Sequence, residues 1–358
     1  EQNAEQTERY VGRTVTRPQW ERVRAYSRAF LDRHGPLFAR RIEEGRIRDC
    51  HGDLRAEHVF LEGDDVQVID CIEFNREFRC QDTASDLAFL TMDLDRLGYP
   101  AQSNVVLNAY LEESGDYGLV PVLDFYRVYR AYVRGKVTSF LLDDSGLSEP
   151  ERAAAADRAR RFFDLATTYV EYEGTRGRLF ITCGITGSGK STVARALAKA
   201  RGCLIVRSDA VRKSLAGLDP TARAHGTFGE GIYDAGATDR TYRALMDIAE
   251  TALRSGKEVI LDATFLQRAF RDAARSLADA LGVPLSILWC RADDAEIDRR
   301  LVERARDAEN ISDGRTEIAA VQRSAFDPFD ERERPSLIPL DTQQDEAAWV
   351  RAVAHAVG

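Results

Sequence analysis

The densest chemistry in the chain lies at residues 184–192, Gly-Ile-Thr-Gly-Ser-Gly-Lys-Ser-Thr, which satisfies G-x-x-x-x-G-K-[ST] with Gly184, Gly189, Lys190 and Ser191. Glycines at this spacing let backbone N–H groups turn inward around phosphate oxygens, and a helix that follows aims its positive end at the same point. Lys190 adds a mobile cation for the β- and γ-phosphates, and the Ser191 hydroxyl suits Mg²⁺. The context agrees, because an apolar run, Leu179 to Cys183, precedes the pattern and a helical one follows it. The expected binding set for ATP is Gly184, Thr186, Gly187, Ser188, Gly189, Lys190, Ser191 and Thr192.

Three further features could work on a bound phosphate. The apolar run from Cys203 ends in Arg-Ser-Asp, which leaves Asp209 at a strand's carboxyl edge with Arg212 one helical turn on. The run from Glu258 ends in Leu-Asp-Ala-Thr, which leaves Asp262 at the same edge. Ligands of open α/β sheets bind there, so both carboxylates would face the phosphate. Arg300 and Arg304 lie four apart on one helix, ahead of the polar stretch Asp-Ala-Glu-Asn-Ile-Ser-Asp-Gly. Guanidinium groups so spaced share a helix face and could form a lid over the phosphates.

This combination resembles the small P-loop kinases related to polynucleotide kinase and the zeta toxins, over residues 178–358. The resemblance implies that Asp209 accepts the proton of a substrate hydroxyl, that Arg212 binds substrate, and that Asp262 acts near Mg²⁺, through water. It also points to the insert around residues 223–245 as a substrate-recognition region, with His225, Tyr233 and Arg240 as candidate contacts.

Five apolar runs must carry these residues: Leu179–Ile185, Cys203–Asp209, Glu258–Phe265, Pro284–Ala292 and Ser336–Thr342. They alternate with helical stretches, the signature of a parallel sheet with crossover helices. Upstream the pattern is different. A long helix with Pro18 in its first turn is followed by a hairpin around Gly63-Asp64-Asp65, then by helices from Thr83 to Tyr172. The polar stretch Glu-Gly-Thr-Arg-Gly-Arg at 173–178 marks the expected boundary between domains at 1–172 and 178–358.

Bulk properties exclude several classes. At 358 residues two domains are the default, and no apolar run is long enough to span a bilayer. A net charge of −9 argues against a nucleic-acid polymer as partner. Six scattered cysteines without a C-x-x-C pair read as reduced thiols in a cytoplasmic protein. Oligomeric state is not legible.

The stretch His-Gly-Asp-Leu-Arg-Ala-Glu-His at 51–58 raises a second possibility. In kinase-like folds H-x-D-x-x-x-x-N supplies a base and a metal ligand, and an Asp after a hairpin holds Mg²⁺. Asp53 fits the base, Asp70 the metal position, and Asp86 the buried Asp that braces the loop. Residues 1–172 thus resemble the carboxyl-terminal lobe of aminoglycoside phosphotransferases, and the chain resembles bacterial fusions of such a domain with a P-loop kinase domain. His58 departs from the pattern, since Mg²⁺ prefers oxygen to imidazole. No Gly-rich loop or strand Lys precedes His51, so either an amino-terminal lobe has been removed or this domain no longer catalyses.

The fold expectation is α/β: a mostly helical kinase-like lobe, then a P-loop kinase domain on a five-stranded parallel sheet. The functional expectation is an ATP- and Mg²⁺-dependent transfer of the γ-phosphate to a small-molecule hydroxyl in residues 178–358. Asp209 would be the base, Ser191 and Asp262 would hold metal, and Lys190, Arg300 and Arg304 would neutralise charge. The alternatives are phosphotransfer by an intact first domain through Asp53 and Asp70, regulated by the P-loop domain, and an ATP-binding module that switches a partner.

Overall fold

The computed structural model describes residues 1–172, 177–219, 232, 234–306 and 316–357. The chain folds as two compact units, Glu1–Ser103 with Gly118–Glu173, and Asn104–Tyr117 with Gly174–Gly358. The second unit therefore contains a segment from the first third of the sequence.

In the first unit, α1 (Gln2–Glu8) precedes α2 (Arg17–Glu43). Thr16 and Gln19 close a capping box at the start of α2, with Pro18 in the first turn as its fixed φ favours. Pro36 removes an internal hydrogen bond, and the helix kinks at His34 (φ −112°, ψ 18°). Strand β1 (Ile47–Asp49) leads into the His51 loop, and β2 (Val59–Glu62) and β3 (Asp65–Val68) form the hairpin, turning at Gly63 with φ +63°. A short α3 (Arg76–Arg79) and β4 (Cys80–Asp82) follow, β4 pairing antiparallel with β1. Asp82 caps α4 (Thr83–Arg96) and takes a buried fork from Arg41, at 2.6 and 2.7 Å. Helix α5 (Pro100–Ser114) begins here and runs on into the second unit, and α6 (Val120–Phe140) and α7 (Glu149–Tyr172) complete the first.

The second unit is built on the expected sheet. Strands β5 (Leu179–Cys183), β6 (Leu204–Arg207), β7 (Val259–Asp262), β8 (Leu285–Arg291) and β9 (Leu337–Asp341) run parallel in the order β6-β7-β5-β8-β9. Its central strands are buried along their whole length, as a sheet covered on both faces requires. The crossovers are α8 (Lys190–Arg201), α9 (Ser208–Leu215), α10 (Ala235–Arg254), α11 (Arg268–Leu281), α12 (Asp294–Arg306) and α13 (Thr316–Ser324), with α14 (Glu346–Val357) last. Phe180, Leu197, Ile260, Leu288 and Trp349 share one core against α8 and α14.

Strand β6 is an edge of the sheet, and an open edge invites unwanted pairing. Side chains of α5 close it. Asn108 accepts the N–H of Ile205 at 2.7 Å and donates to the Cys203 carbonyl at 3.0 Å, and Asn104 donates to the same carbonyl at 3.1 Å. One turn further, Glu112 takes Arg207 at 2.7 Å. Residues 104, 108 and 112 repeat every four positions, so one helix face presents all three.

Candidate functional site

The loop after β5 has the shape its glycines permit. Gly184 and Gly189 hold φ of +148° and +85°. A Cβ on Gly184 would lie 2.6 Å from the Cys290 carbonyl, and one on Gly189 would lie 2.9 Å from Thr342, so a side chain fits at neither. Gly189 is also the N-cap of α8 and supplies no side-chain cap, which leaves the first amides of that helix without a covalent neighbour's oxygen. These are the donors an anion needs. Ser188 is buried, and its hydroxyl finds no hydrogen-bond partner among the described residues. Glycines that no Cβ could replace, an uncapped helix start and an orphaned buried hydroxyl together fit a phosphate chain. Lys190 donates to the Ile185 carbonyl at 2.8 Å, folded over its own loop. Ser191 is half-buried and Thr192 exposed, both in the first turn of α8.

The loop after β7 holds this cradle. Gly184 donates to the Thr264 carbonyl at 3.0 Å, and Thr182 grips Ala263 through both its N–H and its carbonyl, at 3.1 and 2.8 Å. The stretch after β7 is strained at buried Phe265, whose φ is +45°. Such conformations persist only where the surroundings over-determine them. Here the Tyr242 hydroxyl accepts the Phe265 N–H at 3.1 Å, and buried Arg271 takes the carbonyls of Phe265 and Leu266 at 3.0 and 2.8 Å. Arg271 is paired in turn with buried Glu333 at 2.5 Å.

Asp262 ends β7 and is almost fully buried. Its Oδ1 lies 3.4 Å from Thr182 Oγ1, and its Oδ2 lies 3.4 Å from Arg207 Nε. Arg207 stands opposite Asp262 in the parallel ladder, and Asp209 follows two residues on. Burial works against the charge of Arg207, yet the carboxylates of Asp262, Glu112 and Asp209 raise its pKa above the ordinary value. Asp209 is half-buried and makes no hydrogen bond or ion pair among the described residues. It lies within the first turn of α9, which starts at Ser208 without a side-chain cap. Arg212, on the same helix, is buried and donates to the Ile232 carbonyl at 2.9 Å and to Thr238 at 3.3 Å.

Arg300 reaches the loop from α12. It donates to the Thr342 hydroxyl at 2.9 Å and carbonyl at 2.7 Å, and its Nη1 lies 3.5 Å from the Gly187 carbonyl. Its other side is held by Glu296 at 2.6 Å. The Glu296 carboxyl is lowered to about 2, first by Arg299 and then by Arg300, so the tether stays charged at any physiological pH. The side chain of Arg304, and His225 and Tyr233, lie outside the described residues. Arg240 is exposed on α10.

Gln322 on α13 was not singled out by the sequence, yet its side-chain oxygen accepts the Thr186 N–H at 2.7 Å. Arg207, Glu112, Thr182 and Thr342 also touch the site or its supports and were missed. Only the position of Arg207 beside Asp209 in sequence could have drawn notice.

In the first unit, Asp86 accepts the N–H groups of His51 and Gly52 at 2.8 and 3.0 Å. Arg130 donates to the Gly52 carbonyl at 3.2 Å. Asp53 is paired with Arg55 at 2.6 Å. His58 is buried, with Nδ1 2.9 Å from the Asp53 carbonyl and Nε2 3.2 Å from Arg55 Nη2. The carbonyl can only accept, so Nδ1 donates to it, while Nε2 faces both the Arg55 guanidinium and the Asp70 carboxylate. Asp70 is exposed, has φ +64°, and lies 3.3 Å from His58 Nε2.

Fold and loop together define the class of the second unit, a P-loop nucleotide-binding domain. Residues 179–329 match the family model described as AAA domain. The chain is 35% identical over 291 residues to the uncharacterized proteins Rv2004c of Mycobacterium tuberculosis and Mb2027c of Mycobacterium bovis. The aligned region is 81% of this chain and 56% of each relative, so the chain spans about half the length of the curated relatives it matches. Among solved structures it is similar to a gluconokinase from Sinorhizobium meliloti (20% identity, 51% of this chain and 92% of that one, TM-score 0.36). It is also similar to a putative kinase from Chloroflexus aurantiacus (22%, 51% and 100%, TM-score 0.40). No described helix is long and apolar enough to cross a membrane.

Proposed function

We propose that this chain carries an ATP-dependent kinase whose working site is in the second unit, transferring the γ-phosphoryl group to a hydroxyl of a small molecule. One observation carries the reading: the uncapped start of α8 and its glycine cradle share a sheet edge with two carboxylates, Asp262 and Asp209.

The loop amides and Lys190 would hold the β- and γ-phosphates, which requires Lys190 to leave the Ile185 carbonyl. Ser191 and Asp262 would hold Mg²⁺, which supplies charge neutralisation at those phosphates. Asp209 would accept the proton of the acceptor hydroxyl as its oxygen attacks phosphorus. The new P–O bond then forms while the bond to the β–γ bridging oxygen breaks, and ADP leaves with the electron pair. Arg300, anchored on Thr342 and close to the Gly187 carbonyl, would steady the loop and neutralise charge from one side, with Arg304 as its companion. Arg212 would contact the acceptor. A cytoplasmic location fits six free cysteines.

Lys190→Ala tests the reading. Loss of a charge-assisted hydrogen bond to phosphate should weaken ATP·Mg²⁺ binding by about 10–100-fold in calorimetry. Unchanged affinity would remove the assignment.

A second reading has one observation in its favour. The paired amides of His51 and Gly52 on Asp86 supply the brace that the aminoglycoside-phosphotransferase resemblance implies. On that reading the first unit descends from a catalytic lobe, with Asp53 as its base, Asp70 as its metal ligand and the P-loop unit regulating it. Asp53, paired with Arg55, is not poised for proton transfer as it stands.

A further inference from the structure

Arg207 stands between two carboxylates and is not shared equally. Its Nη1 meets Glu112 Oε1 at 2.7 Å, a full charge-assisted hydrogen bond. Its Nε makes an ion pair with Asp262 Oδ2 at 3.4 Å but no hydrogen bond among the described residues. Asp262 is therefore a buried carboxylate with a cation close by but not closed upon it. Among the described residues, its other oxygen has a 3.4 Å approach from Thr182.

The carboxylate that hydrogen-bonds Arg207 comes from far upstream. Glu112 sits on α5, fixed in place by Asn108 and Asn104 one and two turns back, which are themselves hydrogen-bonded to the β6 edge. The three contacts form one ruler along the helix. They set where Glu112 can reach, and so how far Arg207 is drawn from Asp262.

We propose that Glu112 is a positioning residue of the phosphotransfer site: by hydrogen-bonding Arg207, it keeps the guanidinium from closing a hydrogen bond onto Asp262 and leaves that carboxylate open to a divalent cation. Without Glu112, Arg207 would close on Asp262 and compete with the cation for the same oxygens. The inference rests on the metal role given to Asp262 above. It adds a residue that no part of the phosphate-binding loop or sheet edge contains.

The test is a Mg²⁺ titration of ATP binding on the full chain, read by calorimetry, with metal-free ATP affinity measured in EDTA. E112A should raise the Mg²⁺ concentration at half effect by about tenfold, the size of a typical coupling between contacting charges, and leave metal-free affinity unchanged. The double variant E112A/R207M should return the midpoint towards that of the parent, because the competitor is gone. E112Q, which keeps an acceptor oxygen and loses the charge, should fall between and serves if E112A folds poorly. An unmoved midpoint in E112A and E112Q, equal losses with and without metal, or no return in the double variant would each overturn the proposal. D262N in the same titration separates the two levels. If D262N leaves the midpoint alone, the metal role of Asp262 falls and the proposal with it. If D262N shifts it and E112A does not, only the role of Glu112 falls.

Discussion

Helix α9 begins at Ser208, so Asp209 lies inside its first turn and caps nothing. A helix starting at Ala210 would have made Asp209 its cap. With that role gone, the carboxylate's remaining structural contribution is its attraction to the helix dipole and to Arg207. An acid in a first turn contributes about 0.3–1 kcal/mol, so Asp209→Asn should barely move the melting temperature. As the base it should lower acceptor-dependent turnover by about 10²–10⁴-fold, with ATP affinity unchanged. Turnover within about threefold of the parent would reject the assignment and turn attention to Asp262. The glycine positions, Lys190, Ser191 and both edge carboxylates were legible because each depends on a local pattern: a strand, a turn, a helix start. Arg300 was legible as a cation on the right helix. Its partners were not, because Thr342 comes from beyond β9, 42 residues away.

Elements show where the sequence reading stopped. All five parallel strands follow from apolar runs, since a sheet buried on both faces needs them unbroken. Their order, and the covering of the β6 edge, do not. Helix α5 has an unremarkable pattern of small and polar residues, and nothing local says that Asn104, Asn108 and Glu112 serve a strand 95 to 99 positions later. Asn108 gives the sharper test. Its side chain satisfies one backbone donor and one acceptor of β6, and orphaning a buried backbone group costs about 1–3 kcal/mol. Asn108→Ala should therefore lower stability in chemical denaturation by that amount. Asn108→Asp, which keeps the acceptor but presents an anion to the Cys203 carbonyl, should do no better. A loss under about 0.5 kcal/mol in both would mean that the edge is satisfied otherwise.

Across the whole molecule the six thiols report on both units at once. Cys71 and Cys80 are exposed in the first unit, whereas Cys183, Cys203 and Cys290 are buried in the sheet. Burial pushes Cys183 and Cys290 from 9.0 up to about 12, and raises Cys203 as well. Cys50, half-buried, is pushed to about 11. Thiolates are the reactive species, so native protein near neutral pH should take up alkylating reagent at Cys71 and Cys80 and spare the other four. The same shifts have a stability consequence with a definite sign. Below pH 9 these thiols are neutral in folded and unfolded chains alike, and their contribution is fully present. As pH rises from about 9 to 12 the unfolded chain ionises first, and stability falls. Denaturation midpoints that stay flat from pH 9 to 11, or mass labelling of Cys183 in native protein, would contradict this placement.

The helix that closes the β6 edge also sets a timetable. Asn108 and its partner Ile205 are 97 residues apart, and α6 and α7 lie between them. During synthesis at ~5–20 residues per second, α5 leaves the ribosome ~5–20 s before the strand it covers. Throughout that interval Asn104, Asn108 and Glu112 have no strand to bind, and water must serve them. The sheet cannot seal its edge until the chain returns. The second unit is thus begun early and finished late, and a ribosome stalled between residues 117 and 204 would carry a helix still waiting for its strand.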